Sequence, residues 1–143
     1  MVRAFIVSIA MVGVGASIAV ADGIEPGLWK ILARTEVEGV PGPPQQSAKC
    51  LTAAQAADVA TTFSPVMGTI NSECAPIERS LAGGKLTWKL VCKGQLNMVL
   101  TGEYNFDTPR HYSATVQNHA EMGGAVVANS KSLLEAEWVS QCP

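Results

Sequence analysis

From Leu28 to Glu38 the chain alternates, with Trp29, Ile31, Ala33, Thr35 and Val37 on one side and Lys30, Arg34, Glu36 and Glu38 on the other. A period of two is the mark of a half-buried strand. It returns at Leu86 to Cys92, where Leu86, Trp88, Leu90 and Cys92 share a face. It returns again at Gln95 to Phe106, at Arg110 to His119, and at about Leu133 to Val139, where Leu134, Ala136 and Trp138 point inward and Glu135 and Glu137 outward. Ala75 to Leu81 brings the set to about six strands. Between them, Ala82-Gly83-Gly84 and Asp107-Thr108-Pro109 read as turns. Gly39 to Pro44 reads as an exposed loop, because glycine and proline there oppose regular structure. Thr52-Ala53-Ala54-Gln55 is a capping-box pattern opening an Ala-rich helix to about Ala60, stopped by Ser64-Pro65.

These elements predict a mainly β fold: a curved antiparallel sheet or partly open barrel of about six strands, with one short helix. A sheet with one apolar face must curl on itself or be covered. The 95–119 hairpin suggests its own register. Setting Leu100 against Val116, Gly102 against Ala114 and Tyr104 against Tyr112 sorts one face, and Thr101 against Thr115 with Glu103 against Ser113 sorts the other. In that register His111 faces Asn105 and His119 faces Asn97.

Four cysteines, Cys50, Cys74, Cys92 and Cys142, form an even set with no C-x-x-C spacing. That argues for two disulfides rather than a thioredoxin-like centre or a zinc knuckle. A three-residue loop at 82–84 places Cys74 opposite Cys92. A two-residue turn pairs Leu81 with Leu86 instead and misses the cysteines by one, and a bulge reconciles the two. The favoured pairing is therefore Cys74–Cys92 with Cys50–Cys142, as structural staples.

The first 21 residues have the three parts of a secretory signal peptide: Arg3, an apolar run from Ala4 to Ile18, and Ala19-Val20-Ala21 as an A-x-A cleavage site. Cleavage after Ala21 gives a single disulfide-stapled domain over residues 22–143 in the periplasm or secreted, where disulfides persist. Without Arg3, nine Lys/Arg stand against twelve Asp/Glu, with no basic run. Nucleic acid is disfavoured as a partner, since phosphate binding needs a clustered positive footprint. After residue 21 no apolar stretch reaches membrane-spanning length.

Few residues point to chemistry. The chain lacks G-x-G-x-x-G, the P-loop, G-x-S-x-G and H-E-x-x-H. His111 and His119 share strand parity but lie about 27 Å apart on a straight strand, too far to share a metal. Both read as surface histidines; a copper or zinc site would need His119 with Met98 or Met122, and Met98 points to the other face. Glu36/Glu38 and Glu135/Glu137 are same-face pairs and read as solvated. Trp29, Trp88 and Trp138, with Tyr104 and Tyr112, fall on inward faces, as core or as the wall of an apolar ligand pocket.

Pro26-Gly27-Leu28-Trp29, Cys50-Leu51-Thr52, Cys74, Trp88-x-x-x-Cys92 and the closing Cys142 together resemble an exported bacterial family, domain of unknown function 3617. The resemblance spans nearly the whole chain after residue 21. It implies a periplasmic, mostly β domain and supplies no catalytic residues. This chain departs from the family in lacking methionine in the loop from Gly39 to Pro44 and in ending Trp138-Val139-Ser140-Gln141 before its last cysteine. The sequence thus points away from an enzyme and toward a binding or envelope-interaction domain for a small apolar or amphipathic ligand or a protein partner. A metal-handling protein and a hydrolase with an unrecognised site are the alternatives. No cofactor is implied.

Overall fold

A computed structural model describes residues 23–66 and 72–143; the expected signal peptide, residues 1–21, lies outside them. Among the described residues nine strands form one antiparallel sheet: β1 (Gly27–Val37), β2 (Val40–Pro41), β3 (Gln45–Leu51), β4 (Ser72–Cys74), β5 (Glu78–Ala82), β6 (Lys85–Gly94), β7 (Leu96–Thr108), β8 (His111–Met122) and β9 (Ala125–Ser140). Their order is β2-β1-β9-β8-β7-β6-β4, with β3 also on β1 and β5 also on β6. The sheet is not closed into a barrel.

The expectation of about six strands is thus too low. β3 shows no apolar alternation because only Leu51 of its seven residues is buried. It is an edge strand held by backbone pairing along Gly27–Ala33 of β1 and by Cys50. The loop expected from Gly39 to Pro44 is broken by the short β2, which folds back on β1 after a turn at Glu38 and Gly39, both at positive φ. Glu38 therefore sits in a turn, not beside Glu36 on a strand face. β9 begins eight residues earlier than expected, because Gly123 and Gly124, at φ 59° and 80°, make a two-residue turn that lets β9 pair with β8 from Ala125 to Glu137. Turns of that hand match the twist of the strands they join.

The β7–β8 register is also corrected. Leu100 faces Asn118, Gly102 faces Val116 and Tyr104 faces Ala114, a two-residue slip from the expected pairing. The chain turns at Pro109-Arg110, with Thr108 opposite His111 and an irregularity between Asn105 and Thr108. A slip of two keeps every side chain on its face, so the sorting into inner and outer residues stands. His119 faces Val99 and Asn129, and His111 faces Thr108 and Glu137.

Both expected disulfides are present: Cys74–Cys92 and Cys50–Cys142. Both registers considered for the first one coexist. β4 pairs with β6 so that Cys74 faces Cys92, whereas β5 pairs with β6 one residue out of step, Leu81 facing Leu86. The two-residue turn at Gly83-Gly84 sets the second, and the step between them falls at Ala75-Pro76-Ile77, where proline has no N–H for the ladder.

The single expected helix is two short ones, α1 (Ala53–Ala57) and α2 (Val59–Thr62). The capping box at Thr52 forms: Gln55 N–H donates to Thr52 Oγ1 and Thr52 N–H to Gln55 Oε1. Asp58 interrupts the run and caps the second helix by accepting from Thr61 N–H. Their buried residues, Ala56 and Val59, join Trp29, Leu51, Leu86, Trp88, Tyr104, Tyr112, Ala114 and Ala136 in the main core.

Candidate functional site

The inner face of the sheet is a ladder of cross-strand rows, and it changes character along its length. The rows nearest the helices are Tyr112–Ala136–Ile31 and Leu86–Tyr104–Ala114–Leu134–Ala33. Phe63, just after α2, packs into them, with ring centroids 5.2 Å from Tyr104, 5.0 Å from Tyr112 and 5.4 Å from Phe106. Burial pushes the phenol pKa of both tyrosines up. The three tryptophans belong to this end too. Trp29 Nε1 donates to Glu25 O, Trp138 Nε1 to Pro26 O, and Trp88 Nε1 to Phe63 O, at 2.9–3.0 Å. Each indole thereby fastens a chain segment outside the sheet onto it. Trp29 is fully buried and Trp138 half-buried beneath the Arg110 guanidinium, 4.3 Å from its ring. The structure thus brings Trp29, Trp88, Tyr104 and Tyr112 together, and it fills the space among the tyrosines with Phe63. No periodic pattern surrounds Phe63 in the sequence, so only its aromatic character signalled it.

The middle row is Trp88–Gly102–Val116–Ser132–Thr35. The indole of Trp88 lies directly on Gly102, where any Cβ would overlap it. Beyond it lie Leu90–Leu100–Asn118–Ser130–Val37 and Cys92–Met98–Ala120–Ala128. This far end has no aromatic side chain. Leu90, Cys92 and Ala120 are buried but lie outside the main core cluster; Leu100, half-buried, packs against that cluster, and Met98 and Asn118 are half-buried as well. Thr35 and Ser132 satisfy each other across the strands at 2.8 Å. Asn118 does not: its Oδ1 is shielded from solvent, and no donor among the described residues reaches it. Buried polar atoms nearly always find partners, so an acceptor enclosed among apolar side chains without one is the unusual feature of this end. The sequence signal was present, since Asn118 interrupts the inward series Tyr112, Ala114, Val116 and Ala120.

The outer face is polar. A cleft of about 590 Å³ crosses β5 to β8, lined by Ser80, Thr87, Lys89, Thr101, Thr115 and Gln117 among others. At its margin Lys85 pairs with Glu103 at 2.9 Å, and that hydrogen bond holds the Glu103 carboxyl below its usual pKa. His111 is gripped on both sides, Nδ1 2.6 Å from Asp107 Oδ1 and Nε2 3.0 Å from Glu135 Oε2. The hydrogen bond to Asp107 is the main cause of a raised His111 pKa and of a lowered Asp107 pKa. His119 pairs with Glu121 at 3.1 Å. Met98 shares the row of Ala120 and His119 that of Val99, although both line an open cleft of about 480 Å³ at this end, and Met122 is exposed at the β8–β9 turn. His111 and His119 remain separate, and among the described residues no group of three or more His, Cys, Asp or Glu side chains is placed to hold a metal ion. Glu135 and Glu137 are exposed on either side of the His111 contact.

No helix among the described residues is long and apolar enough to cross a membrane. No curated protein and no solved structure matches the chain. A family model described as "Protein of unknown function (DUF3617)" matches residues 24–142, from the segment that caps Trp29 to the last cysteine. The chain belongs to that family, DUF3617.

Proposed function

We propose that this protein is a non-catalytic binding domain whose ligand lies across the far end of the inner face and combines an apolar body with a hydrogen-bond donor. The observation that carries the reading is Asn118 Oδ1, buried and without a partner among the described residues, beside Leu100 and Ser130. An unmet buried acceptor costs about 1–3 kcal/mol, a sizeable share of the stability of a small fold. A ligand N–H or O–H reaching Asn118 would recover that cost while its chain lay over Leu90, Leu100 and Met98. The tryptophans support the reading indirectly: they anchor the helix-packed end, leaving the other end free for binding. The two disulfides and the leader-like N-terminus fit such a task in the periplasm.

The test compares primary fatty amides with methyl esters of the same chain length by thermal shift, on the native protein and on Asn118→Leu. The amide is expected to raise the melting temperature of the native protein more than the ester. Asn118→Leu should melt higher than the native protein without ligand, by an amount equivalent to about 1 kcal/mol, and should not distinguish amide from ester. A variant that melts lower, together with a native protein indifferent to both probes, would show Asn118 to be structural and remove the proposal.

A further inference from the structure

The row that carries Asn118 holds a second polar side chain. Ser130 of β9 sits directly opposite Asn118 and is half-buried. One row nearer the helices, Ser132 faces Thr35, and the two hydroxyls satisfy each other at 2.8 Å. Ser130 faces Val37 in the corresponding place, and its hydroxyl makes no hydrogen bond among the described residues. Asn118 and Ser130 thus stand on neighbouring strands, with the Cβ separation of about 5 Å usual for directly opposed residues.

Their surroundings are free of charge. The Asn118 row runs Leu90–Leu100–Asn118–Ser130–Val37, and the row beyond it, Cys92–Met98–Ala120–Ala128, is closed by the disulfide to Cys74. Neither contains Asp, Glu, Lys, Arg or His. Glu38, past Val37, sits in the turn to β2, beyond the end of the row. The row nearer the helices has one ionisable member, Arg79 of β5 opposite Trp88, and its Nη1 donates to Ala60 O. Lys89, Lys93, Lys131 and Glu121 have the other strand parity and belong to the outer face. A charged group laid on this end would give up water and meet no counter-charge. That costs far more than burying a neutral polar group whose hydrogen bonds are made.

We propose that the ligand is an uncharged amphiphile whose polar end both gives and receives a hydrogen bond, with Ser130 as its second contact. The ligand's N–H or O–H donates to Asn118 Oδ1, and the Ser130 hydroxyl donates to an acceptor beside it. This rests on the binding role proposed for Asn118 and narrows the class of ligand. Charge rules out fatty acids, anionic phospholipid head groups and alkylammonium ions; esters lack the donor. Carboxamides and alcohols share the required chemistry, the first through N–H and C=O, the second through one O–H that gives and receives.

Titration calorimetry at neutral pH tests this, with a primary amide, an alcohol, a methyl ester, a carboxylate and an alkylammonium of one chain length, each below its micellar concentration. The native protein should bind the amide or the alcohol about tenfold or more tighter than the carboxylate and the ammonium. Ser130→Ala should weaken the tighter neutral probe about fivefold, the loss of one neutral hydrogen bond, and leave the ammonium, which has no acceptor, unchanged. A carboxylate or ammonium bound as tightly as the neutral probes overturns the uncharged class. Unchanged affinity in Ser130→Ala, in a protein that still prefers amide to ester, removes the Ser130 contact and leaves the reading of Asn118 standing. A native protein that binds none of the five, or binds amide and alcohol no better than ester, overturns that reading and this inference together. If Ser130→Ala fails to fold, a Ser130 β-proton resonance of the native protein that stays unmoved on saturation with the amide removes the contact in its place.

Discussion

The two ends of the inner face are built from the same strands and differ in what fills them. At one end β6, β7, β8 and β9 contribute Leu86, Tyr104, Tyr112 and Ala136, and α1, α2 and Phe63 complete a core in which every indole N–H has a carbonyl. A few residues further along, the same strands present Leu90, Leu100, Asn118 and Ser130, with an acceptor, Asn118 Oδ1, that nothing among the described residues satisfies. The first end is a solution to folding. Leucine at 118 would leave no hydrogen bond unmet, and such local inconsistency is the ground on which the binding role is proposed.

The largest effect that can break this comparison comes from the disulfides, one at each end. Cys50–Cys142 closes a separation of 92 residues beside buried Leu51, and Cys74–Cys92 closes 18 residues on the far side. The chain-entropy estimate gives about 4.6 kcal/mol for the long loop and about 3 kcal/mol for the short one. Replacing both cysteines of a pair by alanine should therefore lower the urea midpoint more for Cys50/Cys142 than for Cys74/Cys92. The reverse order would mean that the far end, not the helix-packed end, holds the fold together.

A smaller effect separates the ends by packing. Phe63→Ala removes a ring that touches Tyr104, Phe106 and Tyr112, and should cost about 3 kcal/mol. Leu100→Ala removes a half-buried side chain and should cost about 1–2 kcal/mol. Denaturant titration of each variant checks the order. Equal costs would show Leu100, which borders the main core, to be packed as fully as Phe63, and would weaken the reading of its row as a binding surface.

β6 was the most legible strand at both ends of the face, and the reason is burial: Leu86, Trp88, Leu90 and Cys92 are all buried, and with the turn at 82–84 that strand placed Cys74 near Cys92. β3 was illegible because it satisfies backbone hydrogen bonds at an edge with almost no burial, which leaves no hydrophobic pattern to read. Gly123-Gly124 carries the signal of the β8–β9 turn, but alternation alone starts β9 only at Leu133, which truncates it. Asn118 has the strand parity of Ala114 and Val116, which puts it on the inner face. Its partners could not be read, because the irregularity between Asn105 and Thr108 moves the register by two and puts Asn118 beside Leu100. Bulges and turn positions depend on packing around the turn, here the Phe106 N–H donating to Gly84 O and the Glu25 N–H donating to Pro109 O.

The smallest effect is a pH dependence that belongs to the helix-packed end. Asp107 and His111 flank the turn at Pro109-Arg110, to which Glu25 and Trp138 are tied through their backbone N–H groups. The hydrogen bond to Asp107 is the leading cause that raises the His111 pKa, followed by the charges of Asp107 and Glu135, while desolvation opposes it. A raised histidine pKa contributes stability that is complete below its ordinary value of 6.5 and is lost as pH rises through the folded value. The lowered Asp107 pKa contributes above its ordinary value of 3.8 and is lost as pH falls through the folded one. Both contributions are thus complete between those two ordinary values. Because His111 is about one-third exposed, solvent keeps the effect small. Melting temperatures of the native protein and His111→Gln should differ most between pH 4 and 6, about the window those two values enclose, and converge as pH rises further. A His111 titration at or below 6.5 by NMR would break the grip inferred from its two carboxylate contacts. A difference that widens with rising pH would reverse the sign of the linkage.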